Sequence, residues 1–423
     1  MKKNNGILIV ILFYSFVFLS LFFYFNTSAS LVKINNLGDS YAIIKAAQKF
    51  YFNFRFDSER TFLYPVIIGF PLLFGTGNVF LFYYILVLQY LFGVAGIILL
   101  FLILKVYVNK TMTVIACFVY SLSISNHIYS FYALTEPPFI LVLLFSLYML
   151  QRFIQEGSIL KLMISVLFLF ISAVIRPVTL PLCIIIFIAW IIYFVIINNI
   201  RKSKIHLVSF FFIITLGIQI TGMYKDYNRL DFSFAGKKTV FKYLLSLSES
   251  LRTNEPIENI QYNKEKRLQQ ITDKLSLADS LNAINNIINK NIKNEIFGNF
   301  NNVIRAYLYS VYSNSTGGIQ LYNVKIYNDI YKLSVIQNIF FTLIFALNIV
   351  ILFFILIFKK FRGNIKKEVI MILLFCAVLN MSDWLMSGLA YWQGDRYNIV
   401  MVPFTIIISS IMIHLFKLKK LNQ

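Results

Sequence analysis

The chain has few of the side chains that build metal sites and disulfide frameworks: its 423 residues include three cysteines and three histidines. The cysteines all lie inside apolar runs, as is typical of small core residues and not of disulfide-bonded or metal-ligating thiols. The histidines are scattered along the chain without the spacing of zinc ligands. These shortages argue against a disulfide scaffold and against a zinc centre.

Charged residues are also scarce, at 13% of the chain. Hydrophobic residues make up 59% and aromatic residues 17%, and the mean hydropathy is +0.73. Soluble globular proteins do not have this composition. The sequence therefore predicts a membrane protein that crosses the bilayer several times.

Acidic residues are the scarcer of the two charge types, with 18 Asp and Glu against 39 Lys and Arg, a net charge of +21. Such an excess is also found in nucleic-acid-binding proteins. Here, however, most of the basic residues lie in short loops between apolar runs, the pattern of helix ends kept in the cytoplasm. The charge therefore indicates orientation first and contact with anionic lipid second, and no nucleic-acid partner is expected.

Apolar runs of the length of a membrane-spanning helix occur ten times along the chain. The first has twenty residues and small residues after it, but it is longer than the roughly 7–15 apolar residues of a signal peptide, so we favour a spanning helix. The ten predicted spans are Gly6–Phe25, Val79–Leu104, Thr111–Tyr129, Pro138–Phe153, Lys161–Ile175, Leu180–Ile197, Ile205–Tyr224, Val335–Phe358, Val369–Leu385 and Ile399–Phe416.

The distribution of charge over alternate loops predicts the orientation of these helices. If both termini are cytoplasmic, the cytoplasmic segments hold 17 Lys and Arg and only two acids. Every one of those segments is then basic, as the positive-inside rule requires. We therefore predict a multi-pass protein of the cell (inner or plasma) membrane with cytoplasmic termini and an extracytoplasmic site.

Three parts follow from this arrangement. Residues 1–224 form an N-terminal transmembrane module of seven helices, with its first outer loop at 26–78. Residues 225–334 form a polar insert of 110 residues, whose periodicity predicts a small, mostly helical extracytoplasmic domain. Residues 335–423 form a C-terminal transmembrane module of three helices.

The first outer loop contains the strongest candidate for chemistry, Asp39. It precedes a short amphipathic helix with Ile43, Ala46 and Ala47 on its apolar side and Lys45 on its polar side. A lone Asp in a loop is usually a solvated turn residue. At a partly dry membrane surface, however, a carboxylate can accept a proton as a general base, and we assign that role to Asp39.

Other charged residues lie at the predicted outer ends of spans, and each has two interpretations. Glu136 in Thr135-Glu136-Pro137 is either a favourable first-turn acid or part of a site. Arg176, before a proline break, either reaches toward the membrane surface or binds a phosphate. Arg396, between Asp395 and Tyr397, is either a surface-turn residue or a phosphate ligand. For Asp383 we expect pairing with a neighbouring donor.

Together these segments resemble the GT-C superfamily of polytopic glycosyltransferases, in particular the protein O-mannosyltransferase and lipid A aminoarabinose transferase branch. The similarity covers most of the membrane portion and none of the insert. The segments that are similar to family motifs are Gly38-Asp39-Ser40-Tyr41, Arg60-Thr61-Phe62-Leu63-Tyr64-Pro65 running on to Phe74-Gly75, Leu134-Thr135-Glu136-Pro137, Ile175-Arg176-Pro177, and Asp395-Arg396-Tyr397 with Pro403.

The resemblance implies an enzyme that transfers a sugar from a polyprenyl-phosphate donor to a protein, lipid or glycan acceptor outside the cytoplasm. Asp39 would be the base. The donor phosphate would be bound by Arg176, Arg396 and Arg60. Glu136, Tyr64, Asp395 and Tyr397 would line the cavity.

A resident cofactor is not predicted. Many family members have two adjacent acids in the first loop, whereas here Asp39 is followed by Ser40. A divalent cation would therefore need Glu136 or Asp57 as a further ligand.

Two other classes of function remain open at this stage. A transporter of lipid-linked glycans would show inverted repeats and charges near the bilayer midplane, whereas here the charges lie at helix ends and no repeat is evident. A polysaccharide polymerase or ligase would carry several arginines in large outer loops and no acid at the start of the first loop. A catalytically inactive relative is a further alternative, given Ser40.

Overall fold

The computed structural model describes residues 5–28, 38–192, 202–319, 328–358, 365–390 and 396–421. Within these ranges every regular element is a helix. The first half contains α1 (Asn5–Ser28), α2 (Gly38–Asn53), α3 (Leu63–Gly69), α4 (Asn78–Tyr107), α5 (Lys110–Ser121), α6 (Ile124–Tyr129), α7 (Glu136–Glu156), α8 (Ile159–Ile175) and α9 (Leu180–Ile192). The second half contains α10 (Lys202–Tyr227), α11 (Ala235–Thr239), α12 (Leu245–Thr253), α13 (Ile257–Thr272), α14 (Leu277–Gly298), α15 (Phe300–Thr316), α16 (Asn328–Ile357), α17 (Lys367–Ser387) and α18 (Asn398–Leu421).

The prediction of an all-helical membrane protein is confirmed. Among the described residues, six helices are long and apolar enough to cross a bilayer, namely α1, α4, α7, α16, α17 and α18. Shorter apolar helices include α5 and α8. The predicted number of ten crossings stays a prediction.

One predicted span is not a single helix. The run Thr111–Tyr129 divides into α5 and α6, because the backbone is extended at Ser123. The polar groups exposed by the break are satisfied by Gln337 of α16, whose side-chain oxygen accepts from the Ile124 N–H (3.1 Å) and whose amide donates to the Leu122 carbonyl (2.9 Å). The sequence did not reveal this break because the compensating glutamine lies more than two hundred residues away.

The core of the membrane portion packs through small polar residues. Ser146 of α7 and Ser165 of α8 each donate a hydrogen bond to the other's backbone carbonyl, at 2.8 and 2.7 Å. Small side chains let two helices approach closely, and their hydroxyls are satisfied across the contact. Gln151 adds a bond from α7 to the Ile103 carbonyl of α4 (3.1 Å). These contacts hold α7 against α8 and α4; Glu136 lies at the start of α7, and Arg176 directly follows the end of α8.

The predicted amphipathic helix of the first loop is confirmed as α2, which buries Ile43, Ala46 and Ala47. It packs on α3 at Gly69, where the two helices touch closely. A Cβ atom on Gly69 would lie 2.8 Å from the Ala47 Cβ and 2.7 Å from the Tyr51 ring. The close contact between α2 and α3 therefore requires glycine at position 69.

Replacing Gly69 by alanine should destabilise the protein by about 1–3 kcal/mol, because a methyl group must be forced into a filled contact. Since α2 carries Asp39, the variant should also shift the position of that residue. Thermal unfolding in detergent measures the first effect. Gly77→Ala is the matched control, since nothing lies within 4 Å of a Cβ there; equal melting temperatures for the two variants would contradict the prediction.

Every regular element in the described part of the insert is a helix, and the insert has an apolar core of its own. This core joins the end of α10 to α13 and α14 through Tyr227, Phe241, Leu268 and Ile288. Helices cross both predicted boundaries of the insert, because α10 continues to Tyr227 and α16 already starts at Asn328. The division of the chain at 224 and 334 stays a prediction.

Candidate functional site

A cavity of about 380 Å³ lies between the membrane helices, the first loop and the insert. It is bordered by the first loop, the beginning of α7, the end of α8, the residues before α18 and the insert. Six predicted site residues line it: Asp39, Arg60, Tyr64, Arg176, Arg396 and Tyr397. The structure thus brings together residues that are more than three hundred positions apart in the chain.

Asp39 lies at the start of α2, directly after Gly38, whose φ of +59° favours glycine. Arg396 donates to one oxygen of its carboxylate and Arg60 to the other. The Arg396 guanidinium, with a smaller contribution from Arg60, holds the pKa of Asp39 well below its usual range, although burial acts in the opposite direction. Asp39 is therefore ionised at neutral pH, and 37% of its side chain is exposed.

Arg60 is positioned by a turn built on Asp57. One Asp57 oxygen accepts from the backbone N–H of Glu59 (2.9 Å) and of Arg60 (3.1 Å), while the other pairs with Lys49 (2.6 Å). This is a common local role for an aspartate in a loop. Asp57 therefore shapes the loop and is not directed at the cavity as a further metal ligand.

Glu136 was predicted to line the cavity, and the structure places it instead behind Arg396. Its side chain has no exposed surface, and one of its oxygens accepts from Nε of Arg396. Arg396, 15% exposed, thus joins Glu136 to Asp39. The glutamate lies in the first turn of α7, as expected, but its side chain binds the arginine and does not only complement the helix dipole.

Arg176 ends α8 in an extended conformation, which a following proline favours. Its guanidinium lies 3.9 Å from the nearer Glu136 oxygen and 4.8 Å from the centre of the Tyr397 ring. Within the described residues, its Nη1 atom has no hydrogen-bond partner. Arg176 lines the cavity, so its guanidinium can meet an anion that enters, while its unpartnered Nη1 atom is buried beside Glu136.

Tyr64 is held by Gln89 of α4, a residue that the sequence argument missed. The Gln89 amide donates to the Tyr64 hydroxyl (2.5 Å) and to the backbone carbonyls of Tyr132 (3.1 Å) and Leu134 (2.7 Å). It thereby ties α3 to the segment that leads into α7. A single amide in the middle of a long apolar run is a signal that could have identified it.

Asp383 of α17 was expected to pair with a neighbouring donor, and that expectation is wrong for the described part of the chain. Both of its oxygens are buried without a hydrogen-bond partner there, although Arg176 is close enough to interact with its charge. A carboxylate in a spanning helix is costly and usually functional. Asp395, the remaining predicted residue, lies outside the described residues.

The charges around the cavity favour an anion. Its lining contains five basic and three acidic side chains. A divalent cation does not fit this arrangement: arginines hold both Asp39 oxygens, Glu136 pairs with Arg396 and Asp57 pairs with Lys49. Within the described residues, no group of three carboxylate, histidine or cysteine side chains is suited to a metal ion.

The cavity combines guanidinium groups with a carboxylate. Guanidinium groups bind phosphate oxygens and stabilise charge that develops on a leaving group. A carboxylate among them can accept a proton once its arginines turn to another anion. Comparison of the chain with protein-family models and with curated proteins finds no match.

Proposed function

We propose that the protein is a membrane glycosyltransferase that moves a hexosyl or pentosyl group from a polyprenyl-phosphate donor to an acceptor on the extracytoplasmic face. The observation that carries this proposal is the meeting of Arg60, Arg176 and Arg396 with Asp39 at one cavity. The cavity adjoins the ends of helices that are apolar enough to cross a membrane, and we expect the phosphate of a membrane-bound carrier to lie at this level. Such a protein would contribute to glycosylation in the cell envelope.

The donor phosphate is expected to bind Arg176 first. Its Nη1 atom has no hydrogen-bond partner in the described residues, whereas Arg60 and Arg396 already bind Asp39. A phosphate also offers acceptor oxygens in the geometry that guanidinium groups match best. Binding would then draw Arg396 or Arg60 from Asp39 toward the phosphate.

This rearrangement matters for the chemistry, because a carboxylate held by two guanidinium groups is a weak base. When one arginine turns to the phosphate, the basicity of Asp39 rises, and it can accept the proton of an acceptor hydroxyl. The base is thus strengthened by the binding of the donor.

The reaction is a single displacement at the anomeric carbon. The acceptor oxygen forms a bond to that carbon, and its proton passes to Asp39. The bond between the carbon and the phosphate oxygen breaks, and its electron pair leaves with the polyprenyl phosphate. Arg176 and Arg396 stabilise the added charge on the phosphate. Attack from the side opposite the leaving group inverts the configuration.

The test is a transfer assay with the purified protein in detergent and radiolabelled polyprenyl-phosphate sugars. Transfer of label to an added membrane-fraction acceptor, with release of polyprenyl phosphate, supports the proposal. Movement of the carrier across proteoliposome membranes without transfer would favour a transporter. Formation of long products from a lipid-linked oligosaccharide would favour a polymerase or ligase.

A further inference from the structure

Part of the cavity lining is formed mainly by the insert. We call it the insert wall, and it consists of Glu59, Lys238, Thr239, Lys242, Tyr243 and Glu265. Five of these residues belong to the insert, while Glu59 belongs to the first loop. The role proposed above for the arginines and Asp39 does not use this wall.

The charges of the insert wall are paired with each other. Lys238 lies 2.6 Å from a Glu59 oxygen, and Lys242 pairs with Glu265. The wall is therefore neutral as a whole, in contrast to the basic side formed by the arginines. Both pairs remain partly exposed to the cavity.

The local backbone explains how these side chains reach the cavity. Helix α11 continues into a π-helical turn at Val240–Leu244. Phe241 and Leu244 of this turn are buried in the apolar core of the insert, whereas Lys242 and Tyr243 line the cavity. π-Turns often occur at functional sites, because the wider turn changes the direction of side chains.

The insert wall is also fixed relative to Asp39. The Ser233 hydroxyl donates to the Glu59 carbonyl (2.9 Å), and the Phe234 N–H donates to the Ser58 carbonyl (2.9 Å). These bonds join the insert to the loop that carries Arg60. A molecule bound on the wall would therefore be held at a constant place relative to the proposed base.

We propose that the insert wall binds a neutral, hydroxyl-rich acceptor, namely a sugar chain; this inference rests on the proposed transferase function. Each sugar hydroxyl both donates and accepts, so it matches a surface on which ammonium donors alternate with carboxylate acceptors. An anionic acceptor would need lysines without acidic partners. An apolar acceptor would bury two ion pairs at a large desolvation cost. The Tyr243 ring adds an apolar surface against which a sugar ring can pack.

The alternative that these are ordinary surface ion pairs is weaker. Both pairs line the cavity, and because exposed Lys–Glu pairs contribute little to stability, replacing one partner should not unfold the protein. An ion pair elsewhere in the insert provides the comparison: Lys264 pairs with Glu249 at 3.0 Å, and neither residue lines the cavity.

The inference is tested by the binding of two oligosaccharides to the purified full-length protein in detergent, without donor. One is an uncharged hexose oligomer, and the other is a uronic-acid oligomer of equal length. Saturation-transfer NMR measures both affinities for the native protein, Glu265→Gln and Lys242→Met. The glutamine variant is nearly isosteric, so it keeps the fold, and Glu249→Gln is the matched control outside the cavity.

We expect the native protein to bind the neutral oligomer in preference to the anionic one. Both cavity variants should weaken that binding about tenfold, the effect of losing one charged hydrogen bond, and the control should not. Absence of neutral-oligomer binding, equal affinities in all variants, or tighter binding of the uronic-acid oligomer would overturn the proposal.

Failure of this inference is distinguishable from failure of the proposed function. Crosslinking of a photoreactive polyprenyl phosphate tests the arginine side of the cavity separately. Carrier crosslinking without oligosaccharide binding would reject the insert wall and leave the donor site standing. Oligosaccharide binding that depends on Lys242 and Glu265, without carrier crosslinking, would support the wall and reject the donor assignment.

Discussion

Replacing Asp39 by asparagine should lower sugar transfer by about 10²–10⁴-fold, the usual contribution of a general base. Asparagine has nearly the same size, but its amide has one acceptor oxygen, so it can keep only one of the two contacts that Arg60 and Arg396 make with Asp39, and it cannot take a proton. Binding of the carrier should persist, because the arginines remain. The measurement compares the initial rate of transfer with crosslinking of a photoreactive polyprenyl phosphate.

The matched control for this variant is Asp57→Asn in the same loop. Asparagine can still cap the turn at Glu59 and Arg60, so this change should leave transfer within about threefold of native. If Asp39→Asn retained transfer at the same level as this control, the assignment of the base would be wrong.

The pH dependence of sugar transfer by the native protein would provide a second check on the proposed role of Asp39. The pKa of its carboxyl in the ligand-free protein is depressed, so protonation requires a pH below the usual value of about 4. Between pH 5 and 8, kcat/KM should therefore show no loss of activity toward acid that comes from Asp39. If kcat/KM fell toward acid within this range in the native protein but not in Asp39→Asn, the pKa of Asp39 would not be depressed. That result would contradict the pairing of Asp39 with Arg60 and Arg396.

Replacing Arg396 by glutamine should have the largest effect on stability, about 3–5 kcal/mol, because it leaves Glu136 as a buried charge without its main partner. Glu136 has no exposed surface, and Arg176 approaches it only to 3.9 Å. The variant should also lose transfer, since Arg396 is a proposed phosphate ligand. Reversible unfolding in mixed micelles, followed by labelling of the buried cysteines, measures the stability.

Two further variants separate the causes of this effect. The double variant Arg396→Gln/Glu136→Gln removes the unpaired charge, so it should be more stable than Arg396→Gln alone. Arg60→Gln should destabilise less, because its partner Asp39 is partly exposed and keeps Arg396. A loss below about 1 kcal/mol for Arg396→Gln, or a double variant no more stable than the single one, would argue against a buried ion pair.

Much of the architecture could be predicted because it depends on local patterns. Long apolar runs such as Val79–Leu104 form helices, because only internal hydrogen bonding satisfies the backbone in lipid. The amphipathic helix after Asp39 was also evident from its periodicity. The break at Ser123 was not evident from the sequence. The backbone groups that it exposes are satisfied by Gln337, which is distant along the chain.

The composition of the site was predictable for a similar reason. Few charged residues lie at the ends of the predicted spans. Those at outer ends share one side of the membrane, where the bundled helices bring them close together. Asp39, Arg176 and Arg396 could therefore be expected near one another before any distance was known. The roles of Gln89 and of the insert residues Lys238 and Lys242 could not be predicted. A polar residue in a sequence of mixed composition has many possible partners.

Hydropathy and periodicity act over short stretches of chain, so they were sufficient to predict an all-helical membrane protein and the small set of charged residues at its helix ends. The pairing of those charges depends on how the helices pack. This packing places Arg396 against both Asp39 and Glu136, which lie 357 and 260 residues away, and it buries Glu136 behind the arginine. Long polar side chains pair with the partners that lie near them in the packed protein. Separation along the chain does not predict which residues those are.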